Sequence, residues 1–148
     1  MNWKTVVLGG IAFWLAMFII SFATGPLVHE KILEPEYKAT EEFWRPELRV
    51  EPPDLAGLMP RWIGTGLITT MILAGVYGAV KGGLSGPGWR KGLTYGFICS
   101  LFMCCYCAGW SGVFNLPDKI WIAWGLESFA YYLPGGALLG WLHGRFFS

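Results

Sequence analysis

The sequence predicts an all-α membrane protein: a four-helix transmembrane bundle with an outer loop carrying a short interfacial helix between helices 1 and 2. Three observations predict it. Hydrophobic side chains make up 54% of the 148 residues and charged ones only 14%, against about 25% charged in soluble domains. The charges leave four stretches almost bare: Thr5 to Val28, Trp62 to Val80, Gly92 to Pro117 and Ile120 to Leu142. Each stretch reaches the roughly 20 residues that cross a hydrocarbon core about 30 Å thick, where backbone groups find no water and must be satisfied within a helix. The spans are therefore placed at residues 5–28, 60–81, 92–115 and 119–143, with an outer loop over 29–59, all in one transmembrane domain covering 1–148.

The first span has a feature of a secretory leader, since Lys4 precedes an apolar run that passes through Ser21, Phe22 and Ala23 in a small-x-small pattern. The run is longer than the 7 to 15 residues typical of a leader core, so it is read as an anchor. In the loop, "EPEYKATEEFWRPELR" puts Pro35 near a helix start, Tyr37 and Trp44 seven positions apart on one face, and Pro46 as a stop. "VEPPDLAGLMP" then reads as an extended entry to the second span, because each proline disfavours helical geometry in its predecessor. "GGLSGPGW" joins helices 2 and 3 as a turn and lacks the lysine of a phosphate-binding loop. "WIGTGL" (Trp62 to Leu67) and "WIAWGL" (Trp121 to Leu126) form a weak repeat that relates helices 1 and 2 to helices 3 and 4 about an axis along the membrane normal.

Orientation follows from lysine and arginine in short connections. Lys81, Arg90 and Lys91 share one connection with no acid, which puts both termini on the cytoplasmic side. The opposite side receives Glu30, Glu34, Glu36, Glu41, Glu42, Glu47, Glu51 and Asp54. The net charge of +1 thus sums an acidic face and a basic one, and no nucleic-acid-binding patch is present. Trp3, Trp89 and Trp141 inside, and Trp44, Trp62, Trp110, Trp121 and Trp124 outside, make an interfacial belt. Trp14 alone lies within a span, as core packing or lipid contact.

Small residues recur at every fourth position. Helix 3 carries Gly92, Gly96, Ser100, Cys104, Ala108 and Gly112, helix 4 carries Gly136, Gly140 and Gly144, and helix 2 carries Gly66, Thr70, Ala74, Gly78 and Gly82. Such stripes let membrane helices associate through close backbone approach. They also account for "SLFMCCYCAGWSG". Cys104 belongs to the stripe, and with Cys99 at 0° the thiols of Cys104, Cys105 and Cys107 fall at about 140°, 240° and 80° around a helix. Divergent thiols do not close a zinc or iron–sulfur site, and an adjacent cysteine pair without a CxxC motif makes soft-metal handling the weaker reading. No metal and no cofactor is expected. His29 and His143 end their spans at opposite faces, so they do not pair on a haem.

Glu127 is the one acid inside a span. A carboxyl at that depth is costly and is a functional candidate by default. With Ser128, Tyr131 and the carbonyl of Ala130, freed by Pro134 in "YYLPGG", it forms a candidate polar pocket. The alternative is a Glu127 that bridges helices by bonding Thr69, Thr70 or Tyr106. Arg61 lies level with Ile120, too far out for a direct ion pair.

The opening "MNWKTVVLGG", the basic hinge "GGLSGPGWRKG" and the close "GGALLGWLHGR" resemble a loose group of small uncharacterised bacterial four-span inner-membrane proteins. The resemblance implies the bacterial inner membrane and brings no catalytic residues. The expected function is a structural or accessory subunit of a larger membrane complex, with the lipid bilayer and other membrane proteins (homo- or hetero-oligomer) as partners. The alternative is a proton-coupled or small-solute carrier using Glu127 and working as an oligomer. No catalytic set converges, so an enzyme is not expected.

Overall fold

The computed structural model describes residues 2–147, and every described element is helical. Helix α1, Gly10–Leu27, is extended by π-helical turns at Thr5–Gly9 and Val28–Ile32 into one run, Thr5–Ile32. Two short helices follow, α2 (Glu34–Ala39) and α3 (Pro46–Arg49), then three long ones: α4 (Leu55–Val80), α5 (Gly88–Ser111) and α6 (Asp118–Leu142), the last extended by a π turn, His143–Phe147. Three helical runs are long and apolar enough to cross a membrane: Thr5–Ile32, Leu55–Gly83 and Gly88–Ser111. Where the sequence suggests four spans, α6 matches the others in length but not in apolarity. The reason is its position, for α6 lies between α5 and α1 and carries its polar side chains toward them.

The helix bounds differ from the sequence expectation at the loop ends. The first helical run continues past Val28, and α4 begins at Leu55 because Asp54 caps it, its Oδ1 accepting the Gly57 N–H at 3.1 Å. Pro60 is accommodated inside α4, and α6 continues unbroken through Pro134, where the sequence reading has a break. Pro46 starts α3 instead of stopping a helix. Its fixed φ and missing N–H suit a first helical turn. The turn between α4 and α5 is as expected a tight one, with Gly86 at φ 95°, a conformation that side-chain-bearing residues rarely adopt.

Helices α5 and α6 form the tightest pair. Gly88 meets Gly140 and Gly144, Gly92 meets Gly136 and Gly140, and Gly96 meets Tyr132. A Cβ added at Gly140 would stand 2.7 Å from the Gly92 Cα. Toward the other end the stripe changes from contact to hydrogen bonding: the Ser100 and Ser128 hydroxyls donate across to each other's carbonyls at 3.4 and 3.3 Å, and the Cys104 thiol donates to the Gly125 carbonyl at 3.1 Å. The contact ends there, since Ala108 and Gly112 are exposed.

The α4 stripe packs on α1. Gly66 lies beneath the Trp14 indole, Thr70 and Ala74 are buried, and Gly10 of α1 rests on the Met71 backbone. Phe13 then fills the space over Gly135 of α6. Helices α4 and α5 do not pack closely along their backbones and are bridged by tyrosines: the Tyr95 hydroxyl donates to the Leu73 carbonyl at 2.8 Å and its ring tilts against Tyr77. This unequal pairing departs from the two-fold relation suggested by the hexapeptide repeat. Trp62 is exposed, whereas its counterpart Trp121 is buried in the first turn of α6.

The glycine contacts give a direct test. Gly140→Leu forces a side chain into the Gly92 backbone and should lower stability by about 1–3 kcal/mol or more, as overpacking does. Gly64→Ala, at a position where an added Cβ meets nothing within 4 Å, should be neutral or slightly stabilising, since alanine favours the helix by up to about 1 kcal/mol. Thermal melting in mild detergent distinguishes the two.

Candidate functional site at the acidic end

The packing of α6 on α5 uses Gly125, Ser128, Tyr132, Gly136 and Gly140. At 100° per residue, the neighbouring row Glu127, Tyr131, Gly135 and Leu139 must then face elsewhere, and it faces α1. Leu139 sits against Gly9, Gly135 under Phe13, and Glu127 beside Thr24 and His29. The Glu127 side chain is 7% exposed. Its Oε1 accepts the Thr24 hydroxyl at 3.3 Å, and its Oε2 lies 3.3 Å from Nε2 of His29. The two α1 residues thus take one carboxyl oxygen each.

The imidazole carries the connection outward. His29 Nδ1 lies 2.8 Å from the Tyr37 hydroxyl, and the Trp124 indole N–H donates to that same hydroxyl at 3.0 Å. The His29 and Tyr37 rings are nearly parallel, and Trp44 stands edge-on to both Tyr37 and Trp124. The Trp44 N–H donates to the Tyr37 carbonyl at 3.2 Å and to the Thr40 hydroxyl at 3.1 Å. Leu33, with no exposed surface, seats the start of the loop, and Lys119 of α6 pairs with Glu36 at 2.8 Å. The loop therefore folds over the end of the bundle, and one chain of contacts, Glu127–His29–Tyr37–Trp124, ties α6, α1 and α2 together.

Burial pushes the Tyr37 phenol up to about 12, and the Glu127 charge acts in the same direction. Tyr37 is therefore a neutral hydroxyl at ordinary pH, able to accept from Trp124 and exchange a hydrogen bond with His29. The Lys119 ammonium holds the Glu36 carboxyl below the usual carboxylate range. A carboxylate, an imidazole and a phenol in series can lock a loop by hydrogen bonding or pass a proton along their length.

Of the pocket expected from sequence, the structure brings Glu127 and Tyr131 together, Tyr131 facing both the carboxylate and Thr24. Ser128 points to α5, its hydroxyl donating to the Gly125 carbonyl at 2.6 Å as well as to Ser100. Ala130 and Pro134 are exposed, so the Ala130 carbonyl does not join the carboxyl group. Neither Thr69, Thr70 nor Tyr106 bonds Glu127. Thr70 returns its hydroxyl to Gly66 and Leu67 of its own helix. The partners that sequence reasoning missed are Thr24, His29 and Tyr37. Their signal is present in retrospect: a histidine closing helix 1 and an acid two turns into helix 4 lie at the same end of antiparallel neighbours.

The four cysteines serve different surroundings: Cys99 joins the core beside Tyr95 and Tyr132, Cys104 bonds α6, Cys105 faces outward and Cys107 is buried. Among the described residues no cluster of three His, Cys, Asp or Glu side chains has metal-binding geometry.

Tyr37→Phe keeps the ring and deletes the hydroxyl shared by His29 and Trp124. It should destabilise docking by about 1–3 kcal/mol, seen as faster tryptic cleavage after Lys38 and Arg49. The sign of the pH dependence follows from the raised value. A phenol that ionises at about 10 when unfolded and about 12 when docked contributes fully below pH 10 and loses its contribution as pH rises through 12. The melting-temperature gap between wild type and Tyr37→Phe should be constant below that window and shrink across it.

Compared with known protein families, curated proteins and solved structures, the chain matches none.

Proposed function

We propose that the chain is a structural or accessory subunit of a larger membrane complex, and not an enzyme. In this reading it crosses a bacterial inner membrane four times, with α6 as the fourth span and the basic end cytoplasmic. The observation that carries the proposal is the use made of Glu127. Both oxygens of the one intramembrane acid are engaged by α1, and through His29 the same acid holds the loop. Toward the basic end, the space between α1, α4, α5 and α6 is filled by Phe13, Ala74, Tyr77, Tyr95, Tyr132 and Leu139, so the carboxyl opens onto packing and not onto a pathway.

Two further observations support the subunit reading. The docked loop gives the acidic face a defined shape for a partner. Along α5 the exposed rings of Phe102, Tyr106 and Trp110 follow one another at intervals of one turn, with Phe114 just beyond the helix stacked on Trp110, and they offer a face to another membrane helix or to lipid. The fourth span is supported by the length of α6 and by the inward placement of its polar groups, which leaves Ile122, Leu126 and Trp141 outward.

The carrier reading retains one favourable observation: His29, with its side chain 37% exposed, connects the buried carboxyl to the acidic-end surface. Reconstitution separates the two. For a structural latch, vesicles containing wild type should show no proton flux above Glu127→Gln vesicles, and mild-detergent extraction followed by native mass spectrometry should yield a defined assembly that Glu127→Gln retains, since the amide keeps a donor and an acceptor. Proton flux in wild type that disappears in a correctly folded Glu127→Gln protein would instead establish the carrier.

A further inference from the structure

The basic end carries a feature that the latch does not use. Lys4, Lys81, Arg90, Lys91 and Arg145 gather there, while all ten acids belong to the loop, to Asp118 or to Glu127. The end is physically closed: the Asn2 side chain donates to the Phe147 carbonyl at 2.8 Å, Lys91 donates to the Lys81 carbonyl at 3.3 Å, and Lys81 meets His143. Arg90 and Arg145 have no acidic partner among the described residues. Between α5 and the end of α6 lies an open groove of about 260 Å³ lined by Gly88, Trp89, Trp141, Gly144 and Arg145.

Each lining residue has a physical role. Gly88 and Gly144 are in contact, a Cβ on Gly144 falling 3.5 Å from the Gly88 Cα, and their missing side chains make the floor. Trp141 and Arg145 are four residues apart, one helical turn, and so share a face, while Trp89 stands on α5 opposite. Both indoles are about half exposed, at 50% and 46%, as suits rings that partition to the headgroup level. A guanidinium with no acidic partner among the described residues, set between two interfacial indoles at the end of membrane-length helices, presents two parallel N–H donors to a phosphate.

We infer that this groove is a binding site for the phosphodiester headgroup of an anionic phospholipid. Arg145 is its phosphate ligand, Trp89 and Trp141 flank the glycerol region, and the acyl chains run beside α5 and α6. The surplus of positive charge around the groove selects an anionic lipid over a zwitterionic one, since basic side chains near a membrane surface gain from negative headgroups. The groove receives the headgroup, and the lipid's tails stay in the bilayer.

The test is titration of the full chain, in mild detergent, with phosphatidylglycerol or with phosphatidylcholine of the same acyl chains, counting bound lipids by native mass spectrometry. One phosphatidylglycerol should bind in preference. Arg145→Gln should weaken it about tenfold, as expected for loss of a charge-assisted hydrogen-bonded pair. Lys4→Gln removes the same charge from the same end but does not line the groove, and should change binding less than twofold. Arg145 is exposed, so the variant should melt as wild type does, and Arg145→Lys, which keeps charge but not the bidentate fork, should fall between. Equal losses in Arg145→Gln and Lys4→Gln would reduce the effect to a diffuse field and overturn the site. Equal binding of the two lipids would overturn it too. Inorganic phosphate that displaces the lipid at comparable concentration would assign the groove to a soluble phosphate instead.

Discussion

The backbone contact between α5 and α6 is the constraint from which the rest of the arrangement follows. Apolar side chains gain little from leaving lipid for another helix, so close approach and the contacts it permits carry association in a bilayer. Gly88, Gly92 and Gly96 on one helix, and Gly136 and Gly140 on the other, bring the two backbones into contact over the half of the seam toward the basic end. Once the row through Ser128, Tyr132, Gly136 and Gly140 is committed to α5, helical periodicity sends Glu127, Tyr131, Gly135 and Leu139 to α1. The acid's position is a consequence of the glycines.

That placement explains how one costly carboxyl is tolerated and what it accomplishes. An unpaired carboxyl in low dielectric is expensive, and hydrogen bonds to both oxygens reduce the cost. Here Thr24 and His29 supply them from α1, and the His29–Tyr37 contact extends the network into the loop. Tyr37 is in turn clasped by Trp124 and Trp44. The loop thus gains a fixed position without a core of its own, and its acids are carried on a surface tied to the bundle. At the opposite end Lys4, Lys81, Arg90, Lys91 and Arg145 gather, with no Asp or Glu among the described residues there. The molecule is electrically polar along its length, and each end has its own chemistry, a hydrogen-bonded latch at one and a cationic groove at the other.

Much of this was legible in the sequence. The long helices follow from charge-free stretches, and the glycine positions at intervals of four mark the α5–α6 seam as far as Cys104. Ala108 and Gly112 continue the pattern but not the contact, because spacing alone does not say where two helices diverge. The charge-poor stretch from Ile120 to Leu142 marks the length of α6 but not its lower apolarity, since a helix packed between neighbours can carry Glu127, Ser128 and two tyrosines. Glu127 stands out as the one acid in a long charge-poor stretch, but its partners do not. Ser128 is adjacent to it in the chain but about 100° away around the helix, facing α5, and the Ala130 carbonyl that Pro134 frees lies on the exposed side of an unbroken α6. His29 and Tyr37 were obscured for another reason: pairing them with Glu127 requires knowing that the loop doubles back over α6, and no local propensity encodes that return.

The most direct test of this account is the energetic coupling between His29 and Glu127. In a double-mutant cycle of His29→Ala and Glu127→Ala, followed by unfolding in mild detergent with loop protection monitored by hydrogen exchange, residues in one network couple by about 0.5–3 kcal/mol, whereas independent ones add within about 0.5 kcal/mol. The latch predicts coupling of about 1 kcal/mol or more, with loop residues losing protection in both single variants and little further loss in the double. Strict additivity, with the loop equally protected in all four proteins, would show that Glu127 does not hold the loop and would contradict the account.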